Sequence, residues 1–272
     1  MSYTNSRKIA AFRRKVWNHW KKEGRHDLPW RKTKDPYRIL VSEVMLQQTQ
    51  VSRVREKYAE FLNAFPSVRT LARAPLGSVL KIWSGLGYNR RGKYLRDAAK
   101  VIVEKYGGNF RKALEHPLPG VGPYTRAAVR AFSFNEPCVL IETNIRAVYM
   151  HHFYTSVLQK TSIADSEIFP LAEAAGRGQD PRTWNWALMD YGAYLKRSGV
   201  RNNVRSAHYT KQSKFEGSLR QVRGEILRRL MKGENGKKRE DLPAGRQEWK
   251  KALASLARDG LIVKDGNHWR IA

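Results

Sequence analysis

The chain has 272 residues, and its Lys and Arg total 52 against 24 Asp and Glu, a formal net charge of +28. So large an excess, spread along the chain, argues for a polyanionic partner, nucleic acid first. With no long apolar run and no signal or lipidation pattern, the sequence argues against a membrane partner, and we expect a cytosolic, nucleoid-associated protein. The single cysteine, Cys138, excludes an intramolecular disulfide and any multi-cysteine metal site. An apolar share of 41% supports a core large enough for one main domain and a small one.

Taken in order, Ser6 to Lys22 reads as a basic amphipathic helix with Ile9, Phe12, Val16 and Trp20 on one stripe. A polar loop from Arg25 to Pro36 holds Leu28-Pro29-Trp30-Arg31. Tyr37 to Gln50 is helical by its apolar period, carries Glu43 among apolar neighbours, and presents Gln47, Gln48, Thr49 and Gln50 at its end. Further helices are expected over Val51–Leu62, Val68–Ala72, Leu76–Trp83 and, after the turn Gly85-Leu86-Gly87-Tyr88, Arg90–Tyr106. Tyr124–Phe132, Thr143–Tyr154 and Trp184–Lys196 follow. Lys196 to Lys214, with six Lys or Arg and no acid, reads as a loop over an anion. No strand pattern occurs before Leu261, so the first two hundred residues are expected to be all-α.

Residues 215–272 are patterned differently. Two amphipathic helices, Ser218–Met231 and Gln247–Arg258, flank a polar loop over 233–239. Two short runs around Asp265-Gly266 signal a terminal hairpin. Helix, helix and hairpin suggest a winged-helix-like α+β module, a nucleic-acid binder or equally a small domain that only covers the core.

Leu118-Pro119-Gly120-Val121-Gly122-Pro123-Tyr124-Thr125 reads as a glycine turn opening a helix. Gly120 and Gly122 permit conformations that a Cβ forbids, Pro123 suits a first helical turn, and the helix N-terminus faces an anion, in this chain a phosphate. Glu142 stands just before the next helix and is expected to stay ionised. Glu43, if buried among Leu40, Val44, Met45 and Leu46, has a raised pKa and suits a general acid. Two carboxylates in opposite protonation states are what cleavage of a glycosidic bond needs. Pairing of Glu43 with Arg31 or Arg53 is the structural alternative.

Leu28–Arg31, Ser42–Gln50, Gly85–Tyr88 and Leu118–Thr125 stand in the same order and at similar spacing in MutY-type adenine DNA glycosylases, of the helix-hairpin-helix base-excision superfamily. The chain resembles that family over about residues 25 to 195. The resemblance implies an all-helical, two-lobed catalytic region over 1–214, with a six-helix lobe at about 34–135 and a second lobe from 1–33 plus 136–214. It also implies duplex DNA with a mismatched or damaged base as partner, a flipped-out target nucleotide and a monomeric enzyme. By the same resemblance Glu43 protonates the purine, Gln48 wedges into the stack with Gln47, Thr49 and Gln50 nearby, and Tyr88, Gly120, Gly122 and Thr125 bind DNA. Trp30, Arg31, Leu46 and Trp186 fall at the base pocket, while Tyr124 and Asn144 support the catalytic carboxylates. Tyr124 occupies the position where bifunctional relatives carry a nucleophilic lysine, so strand cleavage is not expected. No cofactor is required; backbone carbonyls of His116, Leu118 and Val121 hold a sodium or potassium ion in relatives.

Four departures bear on the chemistry. Glu142 replaces the family's aspartate and is followed by Thr143 rather than glycine. The iron–sulfur cysteines are absent, Lys196 standing at the first ligand position. Trp186 replaces an amide or acid that touches adenine. Residues 215–272 are too short for the family's 8-oxoguanine-reading domain. The expected activity is removal of a mispaired adenine opposite 8-oxoguanine or guanine. The alternatives are a glycosylase for uracil, for thymine in a G·T mismatch or for a damaged purine, and a non-catalytic binder of damaged DNA.

Overall fold

A computed structural model describes residues 6–154, 162–209, 214–233 and 245–272. Among them the helices run α1 Ser6–Glu23, α2 Pro36–Leu46, α3 Val51–Ala64, α4 Val68–Arg73, α5 Leu76–Trp83, α6 Arg90–Tyr106 and α7 Phe110–Ala113. They continue with α8 Pro123–Phe134, α9 Thr143–Phe153, α10 Asp165–Gly176, α11 Pro181–Arg197, α12 Leu219–Met231 and α13 Arg246–Arg258. Strands β1 Ile262–Asp265 and β2 His268–Ile271 close the chain as an antiparallel hairpin. The expected loop residues 210–213 and 234–239 lie outside the described ones. No described helix is long and apolar enough to cross a membrane.

The chain forms two compact units, Met1–Ile39 with Pro123–Lys211, and Leu40–Gly122 with Gln212–Ala272. In the first, Ile9, Phe12, Val16 and Trp20 recur every three or four residues along α1 and are all buried. Phe12 meets Phe153 and Trp184 edge-on at 5.2 and 6.0 Å. The last turn of α10 leaves carbonyls without helical partners. Arg13 of α1 supplies donors to three of them, Ala174, Ala175 and Arg177, at 2.7–2.9 Å.

Sequence patterning places α11 three residues short. Asp180 accepts from the Thr183 amide and Pro181 occupies the first turn, a start signal that lies ahead of the apolar stripe. Helix α10 was not expected at all: Pro170 interrupts its pattern, yet Asp165 and Glu167 favour its N-terminus.

In the second unit α6 packs against α4 and α5. Trp83 is fully buried, and a Cβ on Gly92 would come within 2.9 Å of its ring. The C-terminal helices and hairpin have the winged-helix-like order expected. Val222, Ile226 and Leu227 of α12 meet Trp249, Ala252 and Leu256 of α13, with Leu261 and Ile262 of the hairpin. Leu76 and Leu80 of α5 belong to that same core, so the module shares its apolar interior with the helices before it.

Candidate active site

In the first unit Glu142 is the N-cap of α9. Its Oε1 accepts from the Asn144 and Ile145 amides at 2.9 and 3.0 Å, and the Asn144 side chain donates to Oε2 at 3.3 Å. These bonds occupy two of the orphan amides at the helix start and fix the carboxylate against the backbone. The residue keeps partial surface access, but its carboxyl is closely surrounded by protein. Burial pushes its pKa above the usual carboxylate range, against the pull of the two amides and of Arg146. The two amide bonds pull toward the ionised form that the sequence leads us to expect, and burial works against it.

Gly192 of α11 explains how Asn144 comes so close. A Cβ there would overlap the Asn144 carbonyl oxygen and lie 2.6 Å from its carbon and 2.7 Å from the Asn144 Cβ. Arg146, one turn into α9, pairs with Asp165 at 2.6 and 2.8 Å and so ties α9 to α10.

Arg31 is a buried node. It forms a two-pronged pair with Asp190, and Arg25 joins the same carboxylate at 2.5 Å. Its guanidinium lies 5.3 Å from the Trp20 ring and 5.4 Å from the Trp186 ring. Trp186 also stacks on Phe132 at 5.5 Å. Trp30 is buried beside them in sequence, in a short turn from Pro29 to Arg31.

Glu43 lies on α2 in the second unit and is 8% exposed, between the buried Val41, Ser42, Val44 and Met45. Helix α2 ends at Leu46, earlier than the apolar period indicates, because Gln47 to Thr49 form a turn with Gln48 at φ 55. Gln48 and Gln50 are exposed, while Leu46, Gln47 and Thr49 are half-buried. Tyr88 also has a positive φ, 47, unusual for a bulky residue, and its side chain is exposed.

Arg91, which the sequence reading missed, holds both turns. Its guanidinium donates to the carbonyls of Val44, Met45 and Gln47 and to Thr49 Oγ1, and also to the carbonyls of Leu86 and Gly87. Burial pulls its pKa down to about 10, which leaves it charged at neutral pH. Arg53 donates to the Gly85 carbonyl at 3.2 Å. An arginine at the start of a helix, after a Gly-x-Gly turn, was the signal available.

The turn before α8 is built as expected at Gly120, whose φ is 67 and whose Cβ would come 2.6 Å from the Tyr94 Cβ. Gly122 differs from expectation: it has no positive φ and nothing within 4 Å of a Cβ, so its side-chain-free surface is an outward property. Leu118 and Val121 pair across the turn, the Val121 amide donating to the Leu118 carbonyl at 3.1 Å. Tyr124 is half-buried and Thr125 is buried. Among the described residues no cluster of His, Cys, Asp or Glu suits a metal ion. Burial pushes the Cys138 thiol up to about 11.

The basic segment after α11 is not a free loop. A short 3-10 turn covers Asn202–Arg205, the Ile163 amide donates to the Arg205 carbonyl, and the Ala207 amide donates to the Ile163 carbonyl, at 2.8 and 3.0 Å. Arg205 reaches the Tyr154 carbonyl at 3.3 Å. Main-chain pairing pins this stretch to the neighbourhood of α9 and α10.

Residues 41–272 match the family described as HhH-GPD superfamily base excision DNA repair protein. The adenine DNA glycosylase of Buchnera aphidicola subsp. Baizongia pistaciae is 32% identical over 215 residues, which are 78% of this chain and 61% of that protein. The adenine DNA glycosylase of Mycolicibacterium smegmatis is 32% identical over 268 residues, 89% of this chain and 90% of that protein. This chain thus spans less than two thirds of the first relative's length. The structure of a thermostable thymine-DNA glycosylase matches with a TM-score of 0.61 at 30% identity, over 69% of this chain and 87% of that one.

Proposed function

The chain belongs to the HhH-GPD superfamily of base excision DNA repair proteins, and from that premise we propose that it is a monofunctional DNA glycosylase. Its substrate is an adenine mispaired with 8-oxoguanine or guanine in duplex DNA. The observation that carries the reading is Glu43, a carboxyl buried on α2 directly ahead of the Gln47–Gln50 turn. The similarity to adenine DNA glycosylases over most of the chain points the same way.

In this reading the enzyme acts as a monomer on a nucleotide turned out of the stack. Glu43 gives its proton to the purine, so the base departs neutral and the C1′–N9 bond breaks. Glu142 in its ionised form offsets the positive charge that develops on the sugar. Water then adds to C1′ and gives its second proton to the Glu43 carboxylate, leaving free adenine, an abasic site and the acid restored. Tyr124 offers no amine, so no Schiff base forms and the strand stays intact. Asn144 orients Glu142 through the bond already described.

No redox cofactor enters. A single cysteine does not fit a four-thiolate iron–sulfur site. A sodium or potassium ion fits better, at the carbonyls of His116, Leu118 and Val121. The Leu118 oxygen accepts one bond, from Val121, and a carbonyl has two lone pairs. Such an ion would supply positive charge for a DNA phosphate beside the bare surface of Gly122.

The test is single-turnover base release from duplexes with adenine opposite 8-oxoguanine, guanine or cytosine, with alkali added to reveal abasic sites. Adenine release that Glu43→Gln abolishes while DNA binding persists supports the reading. The match to a thymine-DNA glycosylase favours one second reading, excision of thymine or uracil. Duplexes carrying those bases in the same panel decide between the two.

A further inference from the structure

The carboxylate that caps α9 is followed, one turn on, by a cation at the helix end that least favours one. Arg146 is the fourth residue of α9, and its amide donates to the Glu142 carbonyl at 2.8 Å, closing the first turn. Residues four apart share a helix face, and an acid placed ahead of a cation is the favourable order. The start of a helix carries the positive end of its dipole, so an arginine there costs stability unless carboxylates answer it. Two do: Glu142 on α9 itself and Asp165 at the first position of α10.

Asp165 holds the guanidinium side-on, taking bonds from Nε at 2.6 Å and from Nη2 at 2.8 Å. The arginine side chain is only 11% exposed, so water and salt screen its charge poorly. Both oxygens of Glu142 are occupied by the amides of α9 and by the Asn144 side chain, so Arg146 acts on that carboxyl through space. The other charges brought to α9 by its neighbours are committed elsewhere. Asp190 of α11 is held by Arg31 and Arg25, Glu167 of α10 accepts from the Ala164 amide, and Arg205 donates to the Tyr154 carbonyl. His208 lies 3.6 Å from Asp165.

We propose that Arg146 is a positioning residue for the reaction: through space its charge favours the ionised Glu142 that base release requires, and Asp165 tempers this by drawing the guanidinium to α10. The inference rests on the proposed function. A mere tie between α9 and α10 would need only the bond, and the two roles part in sign. Breaking the bond from either end weakens a tie alike. The Glu142 carboxyl, by contrast, responds oppositely to the loss of a cation and the loss of an anion. Burial raises its pKa, and Arg146 pulls against that rise.

The experiment follows the labelled Glu142 carboxyl by carbon NMR across pH in DNA-free protein, with Glu142→Gln assigning the signal. Arg146→Gln is expected to raise the midpoint by about one pH unit, the low end for loss of a nearby opposite charge. Asp165→Asn keeps an acceptor for the guanidinium but removes the opposing charge, and is expected to lower the midpoint. Arg146→Lys keeps the cation and should stay near wild type. The acid limb of single-turnover base release is expected to move with the midpoint in each case. Thermal unfolding checks that the variants fold, and Asp165→Asn decides alone should Arg146→Gln fail to. Midpoints that move the same way in Arg146→Gln and Asp165→Asn, or do not move, would reduce the pair to a tie and overturn the proposal. Because the carboxyl is read without DNA, this outcome stands apart from failure of the glycosylase reading, which an absence of base release reports.

Discussion

Arg31 and Asp190 meet through two parallel bonds, Nη1 to Oδ2 at 2.7 Å and Nη2 to Oδ1 at 2.8 Å, with side chains 5% and 1% exposed. The pair joins the loop after α1 to the middle of α11, and Arg25 completes it from the same loop. Burial alone would push the Asp190 pKa up, but the hydrogen bonds and charges of Arg31 and Arg25 outweigh it and hold the carboxyl below its usual range.

Asp190→Asn is therefore expected to destabilise the fold by about 3–5 kcal/mol, because it leaves a buried guanidinium without its counter-charge. The wild-type contribution is present above the unfolded carboxylate value of about 3.9 and is lost as pH falls through the lower folded one. Unfolding in urea at neutral pH and across the acid range checks both points. The variant should lack the acid-dependent part of the loss, and a destabilisation under 1 kcal/mol would mean that the pair is replaceable.

Gly192→Ala addresses the approach of α9 to α11. The added methyl collides with the Asn144 backbone rather than with a flexible side chain, so relief requires a shift of the Glu142 cap. The expected cost is about 1–3 kcal/mol, the usual range for overpacking. In the proposed reaction the larger effect is on base release, since sub-ångström displacement of a charged group is felt in the barrier. A stable variant with wild-type release would separate the glycine from the chemistry.

Arg91→Lys keeps a charge but not the fork. Six acceptors from two turns meet one guanidinium, and an ammonium has three donors. We expect a loss of about 1–3 kcal/mol for each buried carbonyl left without a donor, and weaker DNA binding as Gln48 and Tyr88 lose their fixed directions. Thermal unfolding together with the salt dependence of binding tests this. Lost stability with unchanged binding would confine Arg91 to a structural role.

The sequence made the elements that repeat regularly legible. The α1 stripe of Ile9, Phe12, Val16 and Trp20 and the hairpin around Gly266 are local patterns, and both formed. Helix α10 was hidden by Pro170, and the start of α11 by lying outside its stripe. Glu43 and Glu142 were legible from resemblance and neighbours, but the burial that raises Glu142 belongs to the folded unit and not to any local pattern. Arg91 reaches carbonyls 44–47 residues away, a relation that no spacing rule displays. The apolar face of α12 was plain; that it would share a core with Leu76 and Leu80 was not, since a stripe does not name what it faces. Deleting residues 215–272 consequently uncovers α5 as well as removing basic surface.

Glu142 sets function against stability. Its folded pKa is raised, so the contribution it makes to stability is fully present below the unfolded value of about 4.3 and is lost as pH rises through the folded one. The proposed chemistry needs the opposite, an ionised carboxylate beside the sugar. Base release should therefore climb with pH along an acid limb displaced above the ordinary carboxylate range. Glu142→Gln should abolish that limb and most of the rate. The glutamine oxygen still accepts from the Asn144 and Ile145 amides, so the cap is retained. Above the displaced limb the variant should unfold at a higher temperature than wild type, because it never carries the buried charge. A variant less stable than wild type at every pH would assign Glu142 to capping alone and move the charge-stabilising role elsewhere.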